Sequence, residues 1–455
     1  MAKELHHIDK WGFANFDLGE EIIEKKQKAL ILIAGASSSG KSYGAIYLKE
    51  MLSKFGHNSC IISLDKYNVG LSRIIPNKVN KNFFDSRIKN IESICSIIKP
   101  LIENVSFDSK YDETRLRIIK DALRNELDKN DLDKFIKGLG IEWSRLNFDE
   151  PSVYDLKEAS RDIKDLLNNK VVEEKLYSKV VSERIKSDSK FDGSKYSFII
   201  VEGIYALNDE LLDELEGIDS IKNYVDGNPK SLFLRRMIRD QEKTSAPPSF
   251  TAKLYFSSIM DSYRQTILPS RAKADLILDN DMSFSELRSG KLYLTKNVYP
   301  VYSKLGLREL ESNSRIIERS YQKDFYIVVA NEKQEENNVL RFREISLDNG
   351  KSYKPSSLVH KGAPKWRKDN KIIRPVNVLL DEDSIQDVWK DEESCLYDFL
   401  TNGFMINRIE IKIKTRIIYK GINMTIFEAK DRNDNLEISS DVNEETLEEI
   451  LEFVK

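Results

Sequence analysis

The stretch Leu30-Ile31-Leu32-Ile33-Ala34-Gly35-Ala36-Ser37-Ser38-Ser39-Gly40-Lys41-Ser42 joins an apolar run of strand length to a complete GxxxxGK[ST] pattern. Its glycines let the backbone curl so that successive N–H groups face an anion, and a helix starting at the loop adds the positive end of its dipole. Tyr43 to Phe55 carries helix-forming residues with apolar positions at Ala45, Ile46, Leu48, Met51 and Leu52. Strand, loop and helix in this order predict a site for ATP or GTP lined by Gly35, Ser37, Ser38, Ser39, Gly40, Lys41, Ser42 and Tyr43. Lys41 would reach the β- and γ-phosphates, and Ser42 would ligate Mg²⁺.

The chain has 455 residues, which predicts two or three domains. Lys plus Arg number 72 against 75 Asp plus Glu, a formal charge of −3, so no global bias toward nucleic acid or an anionic membrane exists. The longest apolar runs are those of single strands, and the N-terminus lacks the apolar core of a signal peptide. Cys60, Cys95 and Cys395 are too widely spaced for a disulfide framework or a zinc knuckle. A cytoplasmic protein without nucleic-acid or membrane partners is expected, its assembly into homo-oligomers left open. The four histidines lack metal-ligand spacing, so a general base is expected to be a carboxylate.

Ser59-Cys60-Ile61-Ile62-Ser63-Leu64-Asp65 reads as a second buried strand ending in an acid, where ligands of an open parallel sheet sit; a turn or helix-cap aspartate is the alternative. From Asn82 to Lys137 charged residues with helical apolar spacing predict a helical insertion presenting a solvated surface. Tyr196 to Val201 is a further strand running into Glu202, the layout in which an acid helps to hold Mg²⁺, against a buried ion-paired glutamate. Ser220 to Val225 predicts another strand. Arg235, Arg236 and Arg239 follow on one helix, as a phosphate clamp or as ordinary surface arginines.

Together the blocks GASSSGKS (35–42), ISLDKY (62–67), NFDEPSVYD (147–155), IIVEGIYAL (199–207), LRRMIRD (234–240) and ILPSRAKADLILDN (267–280) resemble the uridine kinase and phosphoribulokinase group of P-loop kinases. The resemblance implies that Asp65 is the general base for an acceptor hydroxyl. It implies that Tyr67, Phe148, Asp149 and Tyr154 shape a nucleoside pocket, and that Arg236 and Arg239 lie in a lid over the triphosphate. Glu150 stands where uridine kinases usually carry His, and Lys243 to Pro247 replaces a second basic lid motif, which leaves pyrimidine specificity open.

After a connector with no strong motif the pattern turns to alternating strands, in Asp324–Val329, Val339–Ile345, Ile409–Tyr419 and Met424–Ala429. Period two throws Lys412, Lys414 and Arg416 to one side and Arg341 and Arg343 to one side of theirs. Pointing into a barrel, these would form a basic lumen for a polyanion; pointing out, they would be an ordinary charged sheet face. The pieces QKDFY (322–326), LRFRE (340–344), IKIKTRIIY (411–419) and LEI (436–438) are similar to CYTH, or triphosphate tunnel, domains. That resemblance implies triphosphate or polyphosphate binding. The family's opening ExExK strand is degenerate here, Ile317-Glu318-Arg319-Ser320-Tyr321, with Glu428 and Glu437 as replacement carboxylates.

The expected fold is thus an α/β P-loop kinase domain with a parallel sheet, over 28–282, after an extension over 1–27. A helical connector over 283–314 precedes an α+β domain with an antiparallel barrel or tunnel over 315–455. The expected function is Mg²⁺-dependent phosphoryl transfer from ATP or GTP to a nucleoside or similar small hydroxyl compound. The alternatives are a triphosphatase or pyrophosphatase in the C-terminal domain and a nucleotide-gated scaffold.

Overall fold

The computed structural model describes residues 2–25, 27–85, 88–102, 113–144, 147–178, 183–243, 247–280, 292–329, 339–361, 365–366, 371–429, 434–438 and 443–454. The chain divides into two compact units. One comprises Met1–Asn228, Arg239–Ala246 and Ser257–Asp281, the other Pro229–Ile238, Pro247–Phe256 and Met282–Lys455. Two pieces of the block expected to form one kinase domain, 229–238 and 247–256, therefore group with the C-terminal residues.

In the first unit a six-stranded, all-parallel sheet has the order Lys3–Leu5, Leu276–Asp279, Ser220–Asp226, Ala29–Gly35, Phe198–Glu202, Ser59–Ser63. Every residue of Ala29–Gly35 is buried. Leu30, Leu32 and Ala34 enter one core cluster, while Ala29, Ile31 and Ile33 enter another. This two-sided burial is why the strand reads as an unbroken apolar run rather than an alternation. Residues 1–27 are no appendage. Lys3–Leu5 adds a strand to the sheet, and the helix Ile8–Glu24 packs Trp11 and Ile22 into the second cluster.

The insertion forms the helices Leu71–Phe83, Ile91–Ile102, Glu113–Ala122 and Lys129–Ser144. The expectation of a mainly solvated surface needs correction. Ile75, Val79, Ile94, Ile98, Ile119, Leu123, Phe135 and Leu139 make an apolar core of their own. Between the helix Leu156–Leu167 and the strand Phe198–Glu202 lie two small ladders, Val171–Glu173 with Lys190–Asp192 and Leu176–Ser178 with Glu183–Ile185. Strands of three residues leave no readable period in the sequence.

The second unit holds one antiparallel sheet. Its order is Leu292–Pro300, Asn435–Ile438, Ile422–Ala429, Phe404–Tyr419, Arg315–Val329, Val339–Ser346, Lys354–Lys361, Lys371–Leu380, Lys365–Trp366. Leu292–Pro300 falls where a helical connector was expected; among the described residues there, Lys304–Ser312 is helical. This strand pairs with Asn435–Ile438 through one segment and with Lys371–Leu380 through another, so the ladder returns to its first strand. One sheet face carries an aromatic cluster, in which Phe233, Tyr255 and Phe256 pack with Trp389, Phe399 and Phe404. That packing is what draws 229–238 and 247–256 into this unit.

A Cβ added at Gly19 would overlap the ring of Phe198. Gly19→Ala is expected to destabilise the first unit by ~1–3 kcal/mol through overpacking, measured as a lower urea midpoint.

Candidate functional site

The phosphate loop leaves the central strand at Gly35, whose φ of 144° only glycine adopts without strain. A Cβ there would overlap the carbonyl oxygen of Val225. Gly40, at φ 104°, starts the helix Lys41–Lys54, and a Cβ at that position would overlap the amide of Asn280. Asn280 Nδ2 donates to the Ser39 carbonyl at 2.6 Å and clasps the loop from the last strand of the sheet. Sequence reasoning quoted Asn280 only as the end of a block and gave it no role.

Lys41 is buried, and its Nζ donates to the Ala36 carbonyl at 2.6 Å. Burial pushes its ammonium down to about 8, opposed by the charges of Glu202, Asp65 and Asp149 and assisted by Arg239. Ser42 Oγ donates to Glu202 Oε2 at 3.0 Å. Burial and then the neighbouring Asp65 raise the Glu202 carboxyl, against the hydrogen bonds from Ser63 and Ser42 and the charge of Lys41. Thus Asp65, Asp149, Glu202 and Arg239 all bear electrostatically on the loop lysine, as sequence spacing could not show.

Among the described residues no group of three or more His, Cys, Asp or Glu is arranged to hold a metal ion. The donors present, the Ser42 hydroxyl and the Glu202 carboxylate, are hard oxygens. They suit Mg²⁺, which keeps several waters and shares substrate phosphates rather than entering an all-protein cage.

Asp65 stands in the single turn Leu64–Tyr67 that follows the strand Ser59–Ser63. The Tyr67 ring lies in the core, and its hydroxyl donates to Asp162 Oδ2 at 2.8 Å, which anchors this turn. Phe148 packs partly buried against the core of the insertion, and its carbonyl accepts from Tyr154 at 3.1 Å. Asp149 is buried, with its N–H donating to Asn147 Oδ1 at 2.9 Å and its carbonyl accepting from the Tyr205 hydroxyl at 2.5 Å. Burial, then Asp65 and Asp149, hold the Tyr154 phenol well above its ordinary range. Glu150 pairs with Lys78 Nζ at 2.6 Å.

The ladder Leu176–Ser178 with Glu183–Ile185 supports the same turn. Arg184 donates from Nε to the Asn68 carbonyl and from Nη2 to the Tyr67 carbonyl, each at 2.7 Å. No motif in the sequence singled out Arg184. Of the helix arginines, Arg239 belongs to the first unit and pairs with Asp240 at 2.8 Å, whereas buried Arg236 belongs to the second.

In the second unit the basic residues of two strands converge on Asp324, which is 0% exposed. Arg343 donates to its two oxygens at 2.6 and 2.8 Å, Lys412 donates at 2.6 Å, and Arg341 lies at 3.5 Å. These partners hold the Asp324 carboxyl far below its ordinary value although burial opposes them. Sequence analysis read Asp324 only as part of a strand. Direct pairing sets Lys414 opposite Ser320 and Arg416 opposite Glu318, on the face of Lys412; Arg416 is largely exposed and pairs with Glu318 at 3.2 Å. Lys361 joins this face, and burial, reinforced by Arg341, Arg343 and Lys412, pushes its amine down to about 6. Glu428 pairs with Ile413 and so lies on the opposite face, which removes it as a carboxylate for this cluster; Glu437, opposite Thr425, keeps the face of Arg416.

The model of the phosphoribulokinase / uridine kinase family matches residues 138–283, a span that begins beyond the phosphate loop. Part of the chain is similar to uridine kinases. That of Ligilactobacillus salivarius is 27% identical over 180 residues, covering 40% of this chain and 78% of that protein. Uridine kinase of Staphylococcus aureus is 31% identical over 132 residues, covering 29% of this chain and 61% of that protein. Among solved structures, the "Possible Uridine Kinase" of Bacillus stearothermophilus aligns over 56% of this chain and 89% of its own at 14% identity and a TM-score of 0.29. The PH1819 protein of Pyrococcus horikoshii aligns over 36% and 92% at 15% identity and a TM-score of 0.27. No described helix is long and apolar enough to cross a membrane.

Removing the buried anion leaves its cations uncompensated. Asp324→Ala is therefore expected to destabilise the second unit by ~3–5 kcal/mol, read from its urea unfolding.

Proposed function

We propose that the first unit is a kinase that moves the γ-phosphoryl group of ATP to the hydroxyl of a nucleoside or similar small acceptor, with Mg²⁺ as cofactor. The observation that carries this reading is the convergence of Asp65, Asp149 and Glu202 on the buried Lys41 at the end of a glycine-turned loop. Loop N–H groups and Lys41 hold the triphosphate, and Asp65 takes the acceptor proton as the new P–O bond forms and the bond to ADP breaks. Ser42 and Glu202 are the residues that would hold Mg²⁺, which when bound supplies charge neutralisation between the phosphates. Arg239 adds positive charge that bears on Lys41. Asp149 and Tyr154 are the acceptor-facing candidates, and the Lys78–Glu150 pair gives that region a polar edge unlike the histidine of the resembling kinases.

The reading of the second unit is a receptor for inorganic triphosphate or a longer polyphosphate. Strand pairing that returns to its first strand supports a closed barrel, with Arg341, Arg343, Lys361, Lys412 and Lys414 on its inner face. Binding without hydrolysis is favoured. Asp324 is committed to its cations, Ser320 and Gln322 occupy the alternate positions beyond Glu318, and Glu428 lies on the other face.

Transfer of labelled phosphate from γ-labelled ATP to a panel of nucleosides is expected in the wild type. It should fall at least ~10²-fold in Asp65→Asn, by loss of the general base, and also in Lys41→Ala. Label released only as free phosphate, unaffected by both changes, would sink the kinase reading.

The Lys361 amine, with a value of about 6, is mostly neutral at pH 7.5. A bound polyanion favours its charged form, so binding takes up a proton and weakens as pH rises from 6 toward 9. Titration calorimetry of tripolyphosphate in buffers of different ionisation enthalpy measures this uptake, and Lys361→Gln is expected to reduce it.

A further inference from the structure

We infer that Arg184 is a positioning residue for phosphoryl transfer, fixing the turn that carries Asp65 against the helix that follows the acceptor loop. The inference rests on the reading of the first unit as a kinase. It adds a residue that acts through Asp65 rather than on the reactants.

Asp65 lies in the single turn Leu64–Tyr67, and the Asn68 N–H that follows it donates to the Asp65 carbonyl at a long 3.4 Å. A turn this short and tight is weakly held by its own hydrogen bonds. Its orientation has to come from its neighbours.

The guanidinium of Arg184, on the strand Glu183–Ile185, spreads three donors over three acceptors. Nε donates to the Asn68 carbonyl and Nη2 to the Tyr67 carbonyl, each at 2.7 Å, while Nη1 donates to Glu158 Oε2 at 2.5 Å. The Tyr67 carbonyl also accepts from the Asp155 N–H at 2.9 Å. Two of the Arg184 acceptors thus belong to the chain leaving Asp65, and the third to the first turn of the helix Leu156–Leu167, which Asp155 caps. A planar fork serves three separate acceptors at once, as the point charge of a lysine does not.

Glu158 and Asp162 stand four residues apart on that helix and share a face. Glu158 takes Arg184 and Asp162 takes the Tyr67 hydroxyl at 2.8 Å, so Tyr67 is tied to one helix face at its backbone and at its ring. Lys175 lies 3.5 and 3.4 Å from the two carboxylates, which sets two cations against two acids. Burial raises the Glu158 carboxyl, but the hydrogen bond and charge of Arg184 outweigh it and hold the group below its ordinary value. The neighbouring Glu183 is buried and accepts from the Ser72 N–H at 2.6 Å, so the strand that carries Arg184 is itself fixed to the start of the helix Leu71–Phe83.

The helix Leu156–Leu167 begins just after Tyr154, whose backbone bridges to Asn68. Asp65 and Asp149 both bear on the Tyr154 phenol and on Lys41. The Arg184 bonds therefore set the spacing between the turn of the general base and the loop that faces the acceptor. A misplacement of ~1 Å at a reacting group is enough to cost ~10²-fold in rate.

The test is a double-mutant cycle on the full chain, reading transfer from γ-labelled ATP to the best nucleoside of the panel in wild type, Arg184→Ala, Asp65→Asn and the double variant. Arg184→Ala is expected to lower kcat ~10-fold or more while the MgATP dissociation constant stays unchanged. In the Asp65→Asn background the same change is expected to cost less than ~2-fold, because the effects of residues that act through one another do not add. Arg184→Lys keeps the charge and loses the fork; it carries the same expectations and serves in place of Arg184→Ala if that protein does not fold. Wild-type kcat in the Arg184 variant overturns the inference, and so does a loss of equal size in both backgrounds, which makes Arg184 a prop for the fold alone. A MgATP constant that weakens in step with kcat overturns it too. In all three cases the kinase reading stands. Absence of transfer in the wild type removes the kinase reading and the inference together.

Discussion

A strand with no exposed residue, Ala29–Gly35, sets the order of the first unit. Because both of its faces are covered, strands must flank it on both sides and helices must cover both surfaces, which in a parallel sheet brings every carboxyl end to the same edge. The phosphate loop, Asp65 after its strand, Glu202 at the end of its own and Asn280 just past the last strand all occupy that edge. Burial there has an electrical consequence. Burial lowers the Lys41 ammonium while the nearby acids Glu202, Asp65 and Asp149 favour its charged form, and burial and Asp65 in turn oppose the ionisation of Glu202.

Much of that edge was legible in the sequence because its signals are local. Gly35, Gly40, Lys41 and Ser42 have their meaning fixed by spacing within one loop, and Asp65 and Glu202 by standing at the ends of apolar runs. What was not legible depends on partners distant in the chain. The hydroxyl of Tyr67 looks available until the helix bearing Asp162 folds against it. Arg184 gains its role only when a three-residue ladder brings it to the carbonyls of Tyr67 and Asn68. The insertion looked solvated because it is rich in charged residues, yet four helices suffice to bury one stripe each against the others.

In the second unit, period two gave the basic face correctly for Arg341, Arg343, Lys412 and Lys414, since register preserves the parity of a strand's side chains. It could not reveal what neutralises that face. Asp324 supplies one carboxylate to three cationic side chains, and such a site is stable only while each of its hydrogen bonds is made. Parity also disposed of Glu428, because cross-strand pairing with Ile413 turns it away.

The interleaving of the two units along the chain has a consequence for how they can be inherited. Phe233 and Phe256 lie, in sequence, within the segment matched by the kinase family model, but their packing partners Trp389, Phe399 and Phe404 come from beyond residue 380. A chain cut near residue 282 would leave two large rings without that cover, and the remainder would lack the side chains that complete its aromatic core. Exposed rings of that kind favour aggregation. Neither half can be traded for another version of itself without a matching change in the other, so the joined gene is the unit on which selection acts.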